Sequence, residues 1–479
     1  MNGRASRKIT GRTIVSGTLV LDTPAHFGNG DVAGSTDMPL LRDPGDGITP
    51  LLTGSSIAGA LRCYLRELEN GYGKISEKQD YSERLFGGLI DATTNQSWLL
   101  IDDALGKEAG IELRDGVSLE ASTRTAKEGM KYDIELLAAG TTFPITMEFL
   151  HSSVSKDLLP AFAMALHGFS RGEIGLGQRK RRGYGRCHVS EWNIRQYSMV
   201  EPTGMIAWLN DDLSTSSRGS DIFKLLGIEN PLTDNRDWFQ IEACFQIPDS
   251  LIIRSYSESL GSPDMSHLHS LRSGKHTPII SGTSLAGAVR ARSLRIANTI
   301  LGEEKAGEIV ESMFGKGTEK KANSEAEDDG TQDIMRGSRV VIQESQIKGG
   351  SEFVVNRVKI DRFTGGAFPS ALFSEQPFFG GSNSEVVLRF ILRNPEMPEI
   401  GLLLLVLKDL WTGDLPIGGE SAVGRGRLKG KWAILDLRLK GKKRKWKISE
   451  SAEKHLDLGD DSTAAELEEY VAAFWAQRR

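Results

Sequence analysis

Two aspartates, Asp37 and Asp264, stand in similar loops of the sequence, and their residue type and surroundings suit chemistry. They occur in GSTDMPLLRD and GSPDMSHLHS, at an offset of 227 (264 − 37). A carboxylate between small residues most often caps a turn. At a loop tip it can also serve as a catalytic or metal-binding group. The two loops alone leave both roles open.

The strongest electrostatic feature is the loop at 172–186, GEIGLGQRKRRGYGR. Glycines let a backbone approach a phosphate closely, and arginines pair with phosphate oxygens two at a time. An aromatic ring in such a loop can stack on a base. A solvated run of charges would look similar, but the interleaved glycines favour phosphate binding. The residues concerned are Arg179, Lys180, Arg181, Arg182, Tyr184 and Arg186.

A repeat positions these residues. The segment 49–62, TPLLTGSSIAGALR, returns as TPIISGTSLAGAVR at 277–290, an offset of 228 (277 − 49). LFG at 85–87 returns as MFG at the same offset, and RGYGR at 182–186 resembles VGRGR at offset 241 (423 − 182). Such a shared spacing predicts two copies of one structural unit.

Within each copy the pattern predicts a short apolar strand, a Gly-Ser turn and a helix. The turn Thr53-Gly54-Ser55-Ser56 supplies hydroxyls that can cap the helix, and Ser284 lies in the second copy of this turn. Exposed N–H groups at a helix N-terminus suit a phosphate. An ordinary capped helix, whose small residues pack tightly, is the alternative interpretation.

Composition bounds the function. The 479 residues suit two or three domains with a sizeable core, and the net charge of -5 means that any nucleic-acid surface is local. Cys63, Cys187 and Cys244 have no metal-ligand spacing and indicate a reducing compartment. The chain shows neither an apolar run long enough for a membrane span nor the apolar core of a signal peptide. We therefore expect a cytoplasmic protein without membrane contact.

The sequence predicts a first domain at 1–197, a linker at 198–237, a second domain at 238–435 and a C-terminal extension at 436–479. The linker is inferred from weak periodicity and the run LSTSSRGSD.

Three further segments stand out. The polar, acidic insertion at 317–333 is expected to be disordered. The run KGKKRKWK at 440–447 suits a nucleic-acid contact and a solvated edge strand equally well. The residues 464–479 predict an amphipathic helix that packs against the body of the protein or a neighbouring subunit.

The order of these features resembles the RAMP superfamily, the RNA-binding backbone proteins of CRISPR effector complexes. The features are a strand, TPAHFGNG, D-x-P-L-x-R-D, GSSIAGALR, LFG and GLGQRKRRGYGR. The likeness is closest to type III backbone subunits, and it covers most of 13–195 and, more weakly, 239–435. Two such domains in one chain resemble a fused, Cas seven-like double-backbone subunit of a type III-D-like complex.

The resemblance implies an α+β fold of two tandem ferredoxin-like domains, related to RNA recognition motifs. It also implies protruding β-hairpins that kink the duplex of guide and target RNA. The segments 125–140 and 363–380 are the candidates.

The implied activity is metal-dependent cleavage of target RNA opposite each kink. The 2′-hydroxyl attacks its own phosphodiester, which requires an in-line geometry that an A-form duplex prevents. Asp37 and Asp264 match the family's catalytic aspartate and are candidate ligands for Mg²⁺ or another divalent cation. The implied partners are crRNA, target RNA and other CRISPR effector subunits.

The residues that could contact RNA come from the loops and turns that match the family's motifs. His26 matches a family histidine, and a structural role is equally open for it. The set is His26, Arg42, Ser55, Ser56, Arg62, Arg124, Arg179, Lys180, Arg181, Arg182, Tyr184, Arg186, Ser284, Arg290, Arg362, Arg425 and Arg427.

The sequence also departs from the family pattern. The usual lysine of GSSxKG is Ala58 in the first copy and Ala286 in the second, which removes one phosphate contact per domain. The second copy has Glu420 and Ser421 where the first is basic, so we expect a weaker or different RNA contact there.

Two other functions remain open at this point. One is a structural backbone subunit without nuclease activity. The other is a guide-processing endoribonuclease with His26 as general base. A carbohydrate or nucleotide enzyme is disfavoured because no cofactor motif is visible.

Overall fold

The computed structural model describes residues 7–30, 36–74, 80–88, 96–120, 126–255, 262–316, 337–450, 456–458 and 461–478. The chain divides into two compact units. The first consists of Met1–Lys180, Tyr184–Arg236 and Ser270–His276, and the second of Arg181–Gly183, Asp237–His269 and Thr277–Arg479.

The first unit alternates strands and helices. Its elements are β1 (Gly11–Leu21), β2 (Leu51–Leu52), α1 (Gly54–Asn70), α2 (Tyr81–Phe86), β3 (Leu99–Ile101), β4 (Ala104–Leu105), β5 (Ile111–Leu119), β6 (Ala126–Leu137), β7 (Thr142–His151), α3 (Leu159–Ser170), β8 (Cys187–Ser198), α4 (Pro202–Leu209), β9 (Ser217–Gly219) and α5 (Ile222–Leu226).

The main sheet of this unit is antiparallel, with the strand order β3-β7-β1-β8-β9 in the described chain. Val15 at its centre faces Met147 on one side and Ile194 on the other. Alternate residues of these strands are buried beneath α1 and α3, as a half-covered sheet requires. The order of the four central strands and the two helices between them make a ferredoxin-like domain.

The second unit repeats this plan. Its elements are β10 (Trp238–Gln246), β11 (Ser250–Leu251), β12 (Arg254–Ser255), β13 (Met265–His267), β15 (Lys275–Ile280), α6 (Gly282–Leu301), α7 (Glu303–Phe314), β16 (Val340–Ile342), β17 (Ser345–Lys348), β18 (Ser351–Glu352), β19 (Val355–Ile360), β20 (Ala367–Gln376), β21 (Phe378–Phe379), β22 (Glu385–Arg393), α8 (Met397–Trp411), β23 (Lys429–Leu439), β24 (Lys442–Glu450), β25 (Leu456–Asp457) and α9 (Asp461–Ala476). Most of β14 (His269–Arg272) and the first two residues of β15 belong to the segment Ser270–His276 of the first unit.

Strands β16, β22, β10 and β23 are neighbours in the same order as β3, β7, β1 and β8. The sheet continues through β24 to β25. The predicted C-terminal helix is α9, and its apolar face packs against the body of the unit, where Phe474 is buried. The α+β class and the tandem ferredoxin-like plan agree with the prediction.

Each unit carries a two-stranded hairpin inserted between the second and third strands of its core. The pairs are β5 with β6 and β19 with β20. The predicted segments 125–140 and 363–380 contain only the second strand and miss the first. Strands β6, β19 and β20 expose side chains on both faces along much of their length, so the two-residue alternation that marks a half-buried strand is weak there.

The predicted linker at 198–237 is structured instead. It contains α4, β9 and α5, and α5 adds Ile222 and Leu226 to the first core. These elements are too short for a periodic signal, which explains the difference.

Two remaining expectations concern other segments. The predicted disordered insertion at 317–333 lies outside the described residues. Within the described part of the chain, no helix combines the length and apolarity needed to cross a bilayer.

Candidate nucleic-acid interface

Asp37 lies at the base of the first hairpin, where its loop meets β6. The Asp37 backbone N–H donates to Oδ1 of Asp133 at 2.6 Å, and the Asp133 N–H donates to Oδ2 of Asp37 at 3.0 Å. The next residue, Met38, forms a parallel bridge with Ile134. The two reciprocal hydrogen bonds bring two carboxylates side by side, and that of Asp37 is exposed.

Glu135 holds the loop that carries Asp37. Its carboxylate accepts hydrogen bonds from the Leu40 N–H at 3.1 Å and the Thr36 hydroxyl at 3.4 Å, and its N–H donates to the Met38 carbonyl at 3.1 Å. The loop is therefore fixed to β6 on both sides of Asp37.

Asp264 occupies the same place in the second unit. Its N–H donates to the Ser374 hydroxyl at 3.1 Å. Its Oδ2 accepts from the Ser374 N–H at 2.7 Å and hydroxyl at 3.1 Å. These hydrogen bonds hold the pKa of the Asp264 carboxyl below its usual value. Met265 pairs in parallel with Glu375, as Met38 does with Ile134.

Ser374 therefore takes the place of Asp133, at the same offset (374 − 133) that relates the two glycine-rich loops. The two hairpin bases share a backbone arrangement but differ in chemistry. The first offers two carboxylates, whereas the second offers one carboxylate and a hydroxyl.

The donor sets at the hairpin bases suit a divalent cation only if it is shared with a substrate. Among the described residues, no three His, Cys, Asp or Glu side chains cluster as a metal site. Mg²⁺ usually keeps several waters and binds one or two carboxylates together with phosphates of the substrate. Asp37 and Asp133 fit such a shared cation, and Asp264 offers the smaller set.

Arg179, from the glycine-rich loop, reaches the first hairpin base. Its Nη1 donates to the Tyr132 hydroxyl, its guanidinium lies 4.4 Å from the centre of the Tyr132 ring, and its Nη2 is 3.7 Å from the Met38 sulfur. The loop can pass so close because Gly177 has a φ of 78°. A Cβ there would lie 2.3 Å from the His26 carbonyl oxygen. A cation is thus held beside the residue that follows Asp37.

His26 is 1% exposed and has a structural environment. Its Nδ1 lies 2.8 Å from the Glu135 carbonyl oxygen. Because a carbonyl only accepts, Nδ1 carries the proton in the neutral ring and Nε2 is the acceptor. Burial lowers the pKa of His26, with Arg179 acting in the same direction, so the ring stays neutral near pH 7.

In the first unit, a cleft of about 290 Å³ lies between the Gly-Ser turn and the glycine-rich loop at 172–186. Among the side chains that line it are His26, Thr53, Ser56, Gln178 and Lys180. Three of the residues predicted to bind RNA, namely His26, Ser56 and Lys180, therefore share one concave surface.

The helix N-terminus beside this cleft is less open than the sequence predicts. Thr53 caps α1, and its Oγ1 accepts from the Ser56 N–H at 3.3 Å and lies 3.0 and 2.9 Å from the hydroxyls of Ser55 and Ser56. The Gly54 N–H already donates to the Asp103 carboxylate at 2.7 Å. A phosphate here meets a site that an acidic side chain partly neutralises. In the second unit, Ser281 caps the Ser284 N–H in the same way.

Tyr184 does not lie where a base could stack on it. Its side chain is 3% exposed and belongs to a small apolar cluster with Ile134 and Leu136. The Arg114 guanidinium lies 5.5 Å from the centre of its ring. The aromatic of this loop thus packs beneath the first hairpin.

In the second unit, Glu420 stands at the position of Arg179 (420 − 179 = 241), and a network of ion pairs replaces the apolar cluster. Arg425 donates to Glu375 at 2.6 Å and pairs with Glu420 at 3.0 Å. Arg357 also pairs with Glu375, and it approaches Glu420 at 3.3 Å. Glu375 is fully buried and Arg425 is 5% exposed, so desolvation raises the pKa of Glu375. Arg425, predicted to bind RNA, instead forms internal ion pairs.

The other predicted arginines are dispersed. Arg62 on α1 and Arg290 on α6 are half-buried, and Arg42 donates to the Ile48 carbonyl at 2.5 Å. Arg362 is exposed in the turn of the second hairpin, next to Phe363, which is 99% exposed. Arg124 lies outside the described residues.

The remaining cations belong to the ends of the glycine-rich loops. Arg181 and Arg182 lie in the 3-10 turn Lys180–Arg182, and Arg427 is exposed just before β23. The Arg186 carbonyl accepts from the Asp22 N–H at 2.7 Å, which closes the loop onto the end of β1.

Asp133, Ser374, Glu375 and Arg357 were missed by the sequence reasoning. The offset that relates the two glycine-rich loops would have paired Asp133 with Ser374. No repeated motif surrounds either residue, so the sequence has no local signal that marks them as functional.

Similarity to a known family extends over both units. A family model described as the RAMP superfamily matches residues 18–188 and 251–429. The two ranges include more than half of the chain, most of both ferredoxin-like cores and both aspartates. No curated protein sequence matches the chain significantly.

Proposed function

The chain belongs to the RAMP superfamily of CRISPR-associated, RNA-binding proteins, and from this we propose that it is a fused double-backbone subunit of a type III-D-like effector complex. In this role it binds crRNA and cleaves the complementary target RNA. Its partners are the two RNAs and other effector subunits.

The observation that carries the proposal is the matched position of Asp37 and Asp264. Each lies where a loop joins the second strand of a long hairpin, fixed by reciprocal hydrogen bonds to that strand. A hairpin that enters the duplex and disturbs its stacking exposes a phosphodiester at its base, and a carboxylate is already held there.

The chemistry we propose is transesterification. The 2′-oxygen forms a bond to the adjacent phosphorus while the bond from phosphorus to the 5′-oxygen breaks, which leaves a 2′,3′-cyclic phosphate and a 5′-hydroxyl. The 2′-hydroxyl loses a proton and the leaving 5′-oxygen gains one, so the step is balanced without another reactant. Distortion of the duplex favours it because attack must be in line with the leaving oxygen.

The residues of the first unit have separate tasks in this proposal. The Asp37 carboxylate accepts the proton of the 2′-hydroxyl, directly or through a water. Arg179, positioned beside Met38, stabilises negative charge on the phosphoryl oxygens. Asp37 and Asp133 would hold a divalent cation, which when bound supplies further charge stabilisation.

The two alternatives are weaker. Guide processing needs an accessible general base, and His26 is buried with its Nδ1 bonded to a carbonyl. A purely structural backbone accounts for the ion-pair network of the second unit, but it leaves the pair formed by the exposed Asp37 and the half-buried Asp133 without a role.

The test uses the assembled complex with guide RNA and a labelled target. Asp37→Asn and Asp264→Asn are each expected to remove one specific cut while assembly and the other cut persist. Asp43→Asn is the matched control, since Asp43 is a nearby carboxylate that accepts a hydrogen bond from the Gly45 N–H. Normal cutting by both variants would establish the structural alternative. Cleavage of precursor RNA by the isolated chain would establish guide processing.

A further inference from the structure

The basic strand β24 has two different faces. Arg444 pairs with Glu466 of α9 at 3.1 Å, and the Trp446 indole donates to the same carboxylate at 2.9 Å. The alternate residues Lys443, Lys445 and Lys447 are all exposed on the opposite face. Within the described part of the chain, these three lysines have neither a hydrogen bond nor an ion pair.

The register of the sheet places more cations beside these lysines. Lys443 is opposite Arg438 of β23, Arg438 is opposite Trp238 of β10, and Trp238 is opposite Arg393 of β22. Directly paired residues share a face, so these four side chains form one row across four strands. Their Cβ atoms are about 5 Å apart from strand to strand. The row thus holds a tryptophan between two arginines, with a lysine at its end.

The next two rows complete the surface. Lys445 is opposite Asp436, and Lys447 is opposite Ile434. The rows repeat about every 6.8 Å along the strands.

The corresponding row of the first unit is partly covered, although Arg12 is itself half-exposed. Arg12 is the counterpart of Trp238 in the register. Its guanidinium lies 4.3 Å from the centre of the Trp208 ring of α4, and it pairs with Glu148 at 2.6 Å. Its neighbour Tyr197 is buried and donates to the Asp212 carbonyl at 3.0 Å. In the second unit Trp238, Arg393 and Arg438 stay half-exposed.

We propose that this outer basic face binds a segment of single-stranded RNA. It is formed by Trp238, Arg393, Arg438, Lys443, Lys445 and Lys447. The lysines provide charge for successive phosphates, and the tryptophan provides a ring on which one base can stack. Four-stranded sheets in other RNA-binding folds use face aromatics in this way. An acidic protein segment would use the charges but has no comparable use for the ring.

The site is separate from the hairpin bases and does not depend on cleavage. It also assigns a role to the run 440–447, for which the sequence left a nucleic-acid contact and a solvated edge strand equally open.

The first test is photo-crosslinking of the full chain to a short single-stranded RNA that contains 4-thiouridine. We expect crosslinks to Trp238 or to peptides from β23 and β24. These should persist in Lys180→Ala, which weakens the cleft of the first unit. Crosslinks confined to the first unit and its loops would overturn the proposal while leaving the proposed function intact.

The second test measures the salt dependence of RNA affinity. The combined variant Lys443→Ala, Lys445→Ala and Lys447→Ala is expected to make the slope of log K against log salt shallower by about 2, from about 0.7 per phosphate contact. The control removes the same charge from exposed positions of the first unit, Lys8→Ala, Lys156→Ala and Lys224→Ala. Equal slopes for the two variants would contradict the proposal.

The third test separates RNA from acidic protein. Trp238→Leu is expected to weaken RNA binding about tenfold, whereas Trp238→Phe, which keeps a ring, largely retains it. Polyuridylate should compete for the face, and polyglutamate of equal charge should not. If polyglutamate competes equally, and Trp238→Leu melts like the wild type and binds RNA as well, the occupant is an acidic protein segment.

Discussion

The bases of the two hairpins share a backbone arrangement, but the side chains around the aspartate differ in charge and in hydrogen bonding. In the first unit, Asp37 faces Asp133, and Arg179 lies beside it over the Tyr132 ring. In the second, Asp264 faces Ser374, and the place of Arg179 is taken by Glu420, which pairs with three arginines. The two repeated domains thus share the position of an exposed aspartate, which is surrounded by a cation and a second carboxylate in the first unit and by an internal ion-pair network in the second.

The two copies of a repeat can divide their tasks in this way. In the second unit the charged side chains of the network pair with one another inside the protein. In the first unit the Arg179 cation lies beside the candidate reaction site instead. We therefore expect the first hairpin base to depend on cations from solution, and the second to depend on its own ion pairs for stability.

The largest effect is expected from breaking the network. Arg425→Met leaves Glu375 fully buried with one fewer partner, and such a loss destabilises a protein by about 3–5 kcal/mol. Urea denaturation followed by circular dichroism measures it. Arg427→Met, two residues away and exposed, should stay within about 0.5 kcal/mol of the wild type.

A second substitution sharpens this prediction. Arg425→Tyr combined with Glu375→Ile installs the residues that the first unit has at these positions, Tyr184 and Ile134. Replacing a buried ion pair by apolar packing is often neutral or stabilising, so most of the lost stability should return. A cost below about 1 kcal/mol for Arg425→Met alone would show that the network is not important for folding.

The next effect tests what the two units share. Gly177 and Gly418 have φ values of 78° and 85°, and a Cβ at either would lie 2.3 Å from a carbonyl oxygen. Gly177→Ala and Gly418→Ala should each destabilise the protein by about 2 kcal/mol or more, measured by denaturant unfolding.

The matched controls for these glycines have the opposite sign. Gly59 and Gly287 occupy equivalent places in α1 and α6, and a Cβ there meets no atom within 4 Å. Replacing either by alanine should stabilise its helix by about 0.5–1 kcal/mol. Unequal results for Gly177 and Gly418 would mean that the two loops are not built alike.

A smaller effect is expected to distinguish the two proposed cation sites. Asp133→Asn keeps a hydrogen-bond acceptor but removes a charge, so the Mg²⁺ concentration for half-maximal cutting at the Asp37 site should rise about tenfold. Ser374→Asp should lower that concentration for the Asp264 site. Rates of each cut across a Mg²⁺ titration provide the measurement.

The control for the carboxylate pair is Asp115→Asn. Asp115 is opposite Asp133 in the hairpin and lies 3.6 Å from Lys131. If it changes the Mg²⁺ requirement as much as Asp133→Asn does, general charge rather than the pair with Asp37 is responsible.

The smallest expected effect is on the pKa of the Asp264 carboxyl. Hydrogen bonds from the Ser374 N–H and hydroxyl hold the pKa of Asp264 below its usual value. The carboxylate therefore stays ionised as pH falls, until that lowered pKa is reached. Ser374→Ala removes the hydroxyl bond and should move the pKa back upward, as followed by carbon-13 NMR of the Asp264 carboxyl. An unchanged pKa would show that the backbone N–H alone sets it.

Much of this architecture could be predicted because the residues within each repeated motif are consecutive in the sequence. Their shared offsets located two domains, and the similar loops located Asp37 and Asp264. The environment of these aspartates could not be predicted in the same way, because Asp133 and Ser374 come from hairpin strands that are distant in sequence. Long-range pairing between exposed strands leaves little periodic signal.

The solvent exposure of individual side chains in the two glycine-rich loops also could not be predicted from the sequence. Tyr184 and Arg425 sit between glycines and look accessible, but the hairpin packs over both positions. Whether a loop residue faces solvent depends on which distant element covers it, and loop composition does not contain that information.

The reciprocal hydrogen bonds between Asp37 and Asp133 have a mechanical consequence. They tie the loop and the hairpin strand together at two points, and Glu135 adds further bonds on both sides. If an RNA duplex displaces the hairpin, the Asp37 carboxylate is carried along with it instead of staying with the sheet. Changes along the hairpin, far from any reacting atom, would then alter the distance between carboxylate and phosphodiester, and so control when the bond is cut.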